Sequence, residues 1–153
     1  TSAGVTSSNL PSGFIFAGHS GAGKTTIARL WRSAGATLLN DDRIIVRAER
    51  SGAVLASSPW RGEERDLTAR CVPLKAIFHL HQAKKNRLSP IHGAEALARL
   101  LANAVAPFYL PAAMDRLVSS WLAVSETVPS YELDFTPDAT VVDLCRTAQP
   151  AAG

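Results

Sequence analysis

Cysteine is scarce: Cys71 and Cys145 are the only two in 153 residues. They lie far apart and form no CxxC or other metal-like spacing. Two thiols in a chain this long make no disulfide framework, so their usage points to a reducing, cytoplasmic setting. Long hydrophobic runs are also missing. The nearest, residues 97–114, is interrupted by Arg99, Asn103, Pro107 and Pro111, which excludes a spanning helix of about 20 apolar residues and with it a membrane partner. Residues 1–8 lack the basic-then-apolar order of a secretory signal. Charge of one sign is in short supply too. Sixteen Lys and Arg against 13 Asp and Glu give a net +3, without the dense basic stripe by which nucleic-acid binders concentrate their charge. Repeats and low-complexity tracts are absent apart from an Ala/Pro tail. With 46% hydrophobic and 19% charged residues, the chain is not of the disordered class. Its length suits one domain over residues 1–153, able to bury about two-thirds of the unfolded surface.

Gly13-Phe14-Ile15-Phe16-Ala17 is a short apolar run bounded by Pro, Ser and Gly, and it reads as a buried strand. Residues 25–34 carry Ile27, Ala28, Leu30 and Trp31 close to helical spacing, with Gly35 as a C-terminal stop. Thr37-Leu38-Leu39 is a second strand, ending at Asn40-Asp41-Asp42. Strand, glycine turn, helix and strand make a βαβ unit with parallel strands. The pattern then changes. Ile44-Ile45-Val46 and Ala53-Val54-Leu55 flank Ser51-Gly52 as an antiparallel hairpin. Residues 57–66 are too rich in turn formers and charge for a core element. Residues 74–80 read as a strand closed by the turn-like residues 83–87. Residues 94–105 and 111–124 read as helices, the second with Pro111 at its first position. Residues 131–135 alternate as a strand, and Thr136 is the expected N-cap of a last helix through Val141, Val142 and Leu144.

Gly18-His19-Ser20-Gly21-Ala22-Gly23-Lys24-Thr25 matches G-x-x-x-x-G-K-[ST] at every fixed position. The chemistry calls for each residue type. Glycines let the backbone curl so that successive N–H groups point inward at phosphate oxygens, and the helix starting here adds its positive end. Lys24 is expected to reach the β- and γ-phosphates, and the Thr25 hydroxyl is a hard oxygen ligand for Mg²⁺. The expected nucleotide-binding set is therefore Gly18 to Thr25 together with Thr26.

Asp41 and Asp42 end the next strand, on the side of a parallel sheet where the glycine turn lies. One carboxylate there can hold Mg²⁺, and the other can accept a proton from an attacking hydroxyl. Asn-Asp-Asp is also good turn chemistry, and spacing does not assign the two roles.

The glycine motif followed so soon by a double Asp resembles the catalytic domain of HPr kinase/phosphorylase. That family belongs to the phosphoenolpyruvate-carboxykinase-like class of phosphate-loop proteins. The chain is most similar to the small relatives of that kinase. Further stretches carry the resemblance: Leu38-Leu39-Asn40-Asp41-Asp42-Arg43, Ser58-Pro59-Trp60-Arg61-Gly62-Glu63 and Val128-Pro129-Ser130-Tyr131-Glu132-Leu133. Together they cover most of the chain. The strand-rich residues 43–55 agree, since most phosphate-loop kinases place a helix there.

The resemblance implies an α/β phosphate-loop fold with a mixed sheet and flanking helices. It implies Mg·ATP in the glycine turn, with the metal held by Thr25 and one of Asp41 and Asp42, and by an acid further on, Glu63 or Glu64. Asp42 would be the base acting on the hydroxyl of a protein, peptide or small molecule, often a protein serine in that family. Lys24, Asp41 and Asp42 are then the catalytic residues of a kinase. Two positions depart from the pattern: Ala3 stands where the family has a catalytic histidine, and His19 where its loop often has an acid. Two other readings accommodate the same motif, a small-metabolite kinase of the gluconate or adenylylsulfate type and an ATP-binding module without turnover. A homo-oligomer is compatible with each.

Other residues are expected to be structural. Trp31, Phe108 and Trp121 are read as core, Trp60 as the anchor of a surface loop, and Cys71 as a small buried hydrophobe. His79 and His81 alternate on one strand and so face one side. Lys84-Lys85-Asn86-Arg87 is read as a solvated hairpin tip.

Overall fold

The computed structural model describes residues 2–6, 12–59, 71–106 and 109–148. It is an α/β structure with a mixed, eight-stranded sheet and flanking helices. The strands are β1 (Ser2–Thr6), β2 (Gly13–Ala17), β3 (Thr37–Asn40), β4 (Ile44–Glu49), β5 (Gly52–Ser57), β6 (Cys71–Gln82), β7 (Arg87–Ile91) and β8 (Ser130–Phe135). The helices are α1 (Lys24–Ser33), α2 (Gly93–Asn103), α3 (Pro111–Thr127) and α4 (Thr140–Arg146).

Strands β2, β6 and β8 lie side by side and parallel, with Phe16 opposite Phe78 and Phe78 opposite Tyr131. Strand β1 is antiparallel to both β2 and β3 and lies between them. The expected βαβ unit therefore has β2 and β3 pointing the same way but separated by a strand. Ser2–Thr6 gives little sign of this, because a run of Ser, Ala, Gly, Val and Thr carries almost no hydrophobic pattern. The β4–β5 hairpin forms as expected, longer at both ends, with Val46 opposite Leu55. It continues from the start of β6 through the antiparallel pair Leu55–Val72.

Alternation along β2 divides the interior. Phe14 and Phe16 point to one face, where Ile27, Ala28 and Trp31 of α1 and Val141, Val142 and Cys145 of α4 cover them. Ile15 and Ala17 point to the other, where they meet Leu55 of β5, Leu100 of α2 and Val124 of α3. Both faces being covered explains why β2 reads as an uninterrupted apolar run.

Several expectations need correction. Thr136 is not an N-cap: α4 starts at Thr140 after Ala139, and the Asp138 carboxylate accepts from the Thr140 backbone N–H at 2.9 Å. The basic residues 84–87 are not a hairpin tip, since β6 and β7 both pair with β8 rather than with each other. Strand β7 begins at Arg87, which forms an ion pair with Asp134 at 2.8 Å; its Pro90 is tolerated because the strand is an edge. Cys71 is exposed, because the first residues of β6 alternate outward and inward, while Cys145 is the buried thiol. Its burial pushes its pKa up to about 12. Trp31 is fully buried, but Trp121 is only partly so. The segment 57–66, expected to hold no core element, begins with Ser57 at the end of β5 and the buried Ser58. Trp60, Glu63, Glu64 and Phe108 lie outside the described residues. Among the described residues, no helix is long and apolar enough to cross a membrane.

Candidate functional site

Because β2, β3, β6 and β8 run in one direction, their C-terminal ends share an edge of the sheet. That edge carries the turn after β2, the acids after β3, and the ends of β6 and β8. In open α/β sheets this is the edge at which ligands bind.

The turn of residues 18–23 leads directly into α1. Gly21 and Gly23 adopt φ of +82° and +104°, a region side chains rarely enter. Gly23 is doubly constrained, since a Cβ there would come within 2.5 Å of the buried Phe135 ring. The turn closes through a bond from the Ala22 N–H to the His19 carbonyl, and the Ile27 N–H to Gly23 bond opens the helix. Gln82, at the end of β6, donates to the Gly21 carbonyl at 2.7 Å. Neither Gln82 nor Phe135 was singled out in the sequence, since only the sheet pairing brings them to the turn.

Lys24 arches back over the turn, donating to the carbonyls of Gly18 at 2.9 Å and His19 at 2.8 Å. Partial burial lowers its pKa, and the negative charge of Asp42 opposes that shift. Thr25 and Thr26 sit exposed on the first turn of α1, and His19 and Ser20 are exposed on the loop, with His19 Nδ1 2.6 Å from the Ser20 carbonyl.

The acidic bend is organised by Asn40, as the turn chemistry of Asn-Asp-Asp suggests. Asn40 is completely buried. Its Oδ1 accepts from the backbone N–H groups of Asp42 and Arg43, at 2.9 and 3.0 Å. Its Nδ2 donates to the hydroxyl of Ser58 at 3.1 Å, and that hydroxyl donates to the Arg43 carbonyl at 2.6 Å. The bend is therefore tied to the end of β5, with Asp41 and Asp42 half-buried beside it. Asp42 also pairs with Arg43 at 3.6 Å.

A second polar group lies further along the same edge. His81 and Glu132 are 3.1 Å apart, and Arg99 of α2 reaches Glu132 at 3.6 Å and Glu95 at 2.9 Å. His79 is buried, and its Nε2 has no hydrogen-bond partner. Burial, then the charges of Arg99 and His81, push its pKa down to about 4. Among the described residues, no three of His, Cys, Asp and Glu gather into a metal-binding group. The hard oxygen groups on this edge are the Thr25 hydroxyl, on the first turn of α1, and the carboxylates of Asp41 and Asp42, after β3. They are hard oxygen ligands of the kind Mg²⁺ takes when substrate phosphates complete its shell.

A cavity of about 330 Å³ lies on the hairpin side of the sheet, between β4, α2 and α3. Ala17, immediately before the glycine turn, and Asp42 are both part of its wall. No sequence signal announced it, because it forms where five separated segments fail to close. Comparison of the chain with protein-family models, with curated proteins and with solved structures found no match.

Proposed function

We propose that the chain is an ATP-dependent phosphotransferase of the HPr-kinase-like class, with a phosphate-loop fold, moving the γ-phosphoryl of Mg·ATP to an acceptor hydroxyl. The observation that carries this reading is the glycine turn itself: Gly21 and Gly23 at positive φ lead directly into α1, and Lys24 folds back over the carbonyls of Gly18 and His19. On this reading, backbone N–H groups of the turn and of the start of α1 bind phosphate oxygens. Lys24, already poised over the turn, balances charge that builds between the β- and γ-phosphates in transfer. Mg²⁺, held by Thr25 and Asp41, supplies further charge neutralisation when bound. Asp42 accepts the proton of the attacking hydroxyl, and Asn40 holds the bend that aims it. Glu63, the third acid implied by the resemblance, keeps that role as part of the proposal.

The test is label transfer from γ-labelled ATP in the presence of Mg²⁺ and a cell extract, with protein and small-molecule fractions counted separately. Lys24→Ala is expected to lower transfer on the order of 10²–10³-fold, and Asp42→Asn on the order of 10²–10⁴-fold. Transfer unchanged in both variants, with the fold intact, overturns the reading.

A further inference from the structure

Resting on the kinase reading above, the inference concerns what the acceptor is. We infer that the 330 Å³ cavity is the acceptor site, and that it takes a small, uncharged alcohol with a largely apolar body. Three observations lead there.

The first is position. The residues around the cavity include Asp42, in the acidic bend after β3, and Ala17, which precedes Gly18 directly. A molecule lying in the cavity therefore has one end at the acid assigned to take the acceptor proton.

The second is chemistry. Ile15 and Ile77 from the sheet, Val46 from β4, Leu100 from α2 and Trp121 from α3 line the space. The charged residues among its described lining are Asp42 and Arg43, which already pair with each other. A charged body would lose its hydration here without a matching partner, whereas an apolar one gains by leaving water.

The third is size. About 330 Å³ sits at the lower end of the roughly 300–1,000 Å³ typical of ligand pockets. It is room for about ten water-sized groups, too little for a folded partner's surface and enough for a compact alcohol.

In the transfer step the acceptor oxygen forms a new bond to the γ-phosphorus. The bond from that phosphorus to the β,γ-bridging oxygen breaks, ADP keeps the electron pair, and Asp42 takes the hydroxyl proton. The products are ADP and the phosphate monoester of the alcohol.

The probe is 2-phenylethanol, and its binding is read by saturation-transfer NMR without nucleotide. The wild-type protein is expected to bind it saturably. Ala48→Phe, which fills the cavity from β4, is expected to weaken that binding at least about tenfold. Ala104→Phe fills it from the end of α2 and serves if the first variant does not fold. With γ-labelled ATP and Mg²⁺, label is expected on the alcohol with the wild type and not with Lys24→Ala, which still binds the alcohol. Absence of alcohol binding, equal binding by the filled variants, or label passing only to polypeptide serines overturns the inference. ATP binding, measured separately, distinguishes the two levels. A protein that binds ATP but not the alcohol overturns this inference and leaves the kinase reading standing. One that binds the alcohol but not ATP overturns the kinase reading and with it the acceptor role of the cavity.

Discussion

The two faces of one sheet are built on different terms. On the α1/α4 face, Phe16 and Phe78 stack at 5.2 Å, Phe78 and Tyr131 at 5.7 Å, and Phe14 meets Trp31 at 4.9 Å. Phe16, Phe78 and Trp31 are wholly buried. On the opposite face the same strands present Ile15, Ala17 and Ile77, and a cavity remains beneath helices that cover them loosely. Helix α3 is 17 residues long, yet Val124 is its one buried residue, and Val118 and Leu122 are exposed. Aromatic close packing on one side supplies rigidity, which leaves the other free to hold space beside Asp42. Packing density, more than hydrophobicity, separates the two.

Truncation is the strongest way to break this comparison. Phe78→Ala removes a fully buried ring from the aromatic cluster and should cost about 3–5 kcal/mol. Val46→Ala, facing the cavity from a half-buried position, should cost only about 1 kcal/mol, since less packing is lost there. Denaturant unfolding of the two variants checks the ratio, and equal losses would mean that the faces do not differ.

A pH titration of stability sharpens it next. His79 lies on the looser face, two residues beyond Ile77 on the same strand, and is held neutral with its pKa pushed down to about 4 against an ordinary 6.5. The unfolded chain takes up the proton more readily, so stability is unaffected above pH 6.5 and falls as pH drops from 6.5 towards 4. The loss reaches at most about 3 kcal/mol. In His79→Leu that limb of the profile should flatten, and an unchanged limb would place its origin elsewhere.

A third effect concerns the bend after β3. Asn40→Ala removes the Oδ1 that accepts from the backbone N–H groups of Asp42 and Arg43 and the Nδ2 that donates to the Ser58 hydroxyl, at a cost of about 1–3 kcal/mol. On the proposed kinase reading its diagnostic consequence is functional: turnover should fall more than Mg·ATP affinity, because the proposed base Asp42 would lose its aim while the glycine turn is untouched. Equal loss of both would make Asn40 a merely structural residue.

Local chemistry made the elements around the site readable. The glycine spacing marks the turn, and the apolar runs at Gly13–Ala17 and Thr37–Asn40 mark the strands that frame it. Helices α2 and α3 and the β4–β5 hairpin follow from periodicity and turn residues. Strand β1 escaped because its residues are small and its existence depends on being inserted between two others. Cys71 was misjudged because a thiol's burial depends on which way a strand's first residues face. Asn40 looked like turn chemistry, and only its distance-spanning partnership with Ser58 makes it a buried organiser. The cavity belongs to no segment at all, so nothing in the order of residues records it.

The most direct test of the central claim is equilibrium binding of ATP with Mg²⁺ to the wild type and to Lys24→Ala, with unfolding curves taken on both. Saturable binding by the wild type, weakened at least about tenfold, or about 1.4 kcal/mol, in a Lys24→Ala protein of unchanged stability, is the predicted result. Equal affinity in the two proteins, or no binding by a folded wild type, would contradict it.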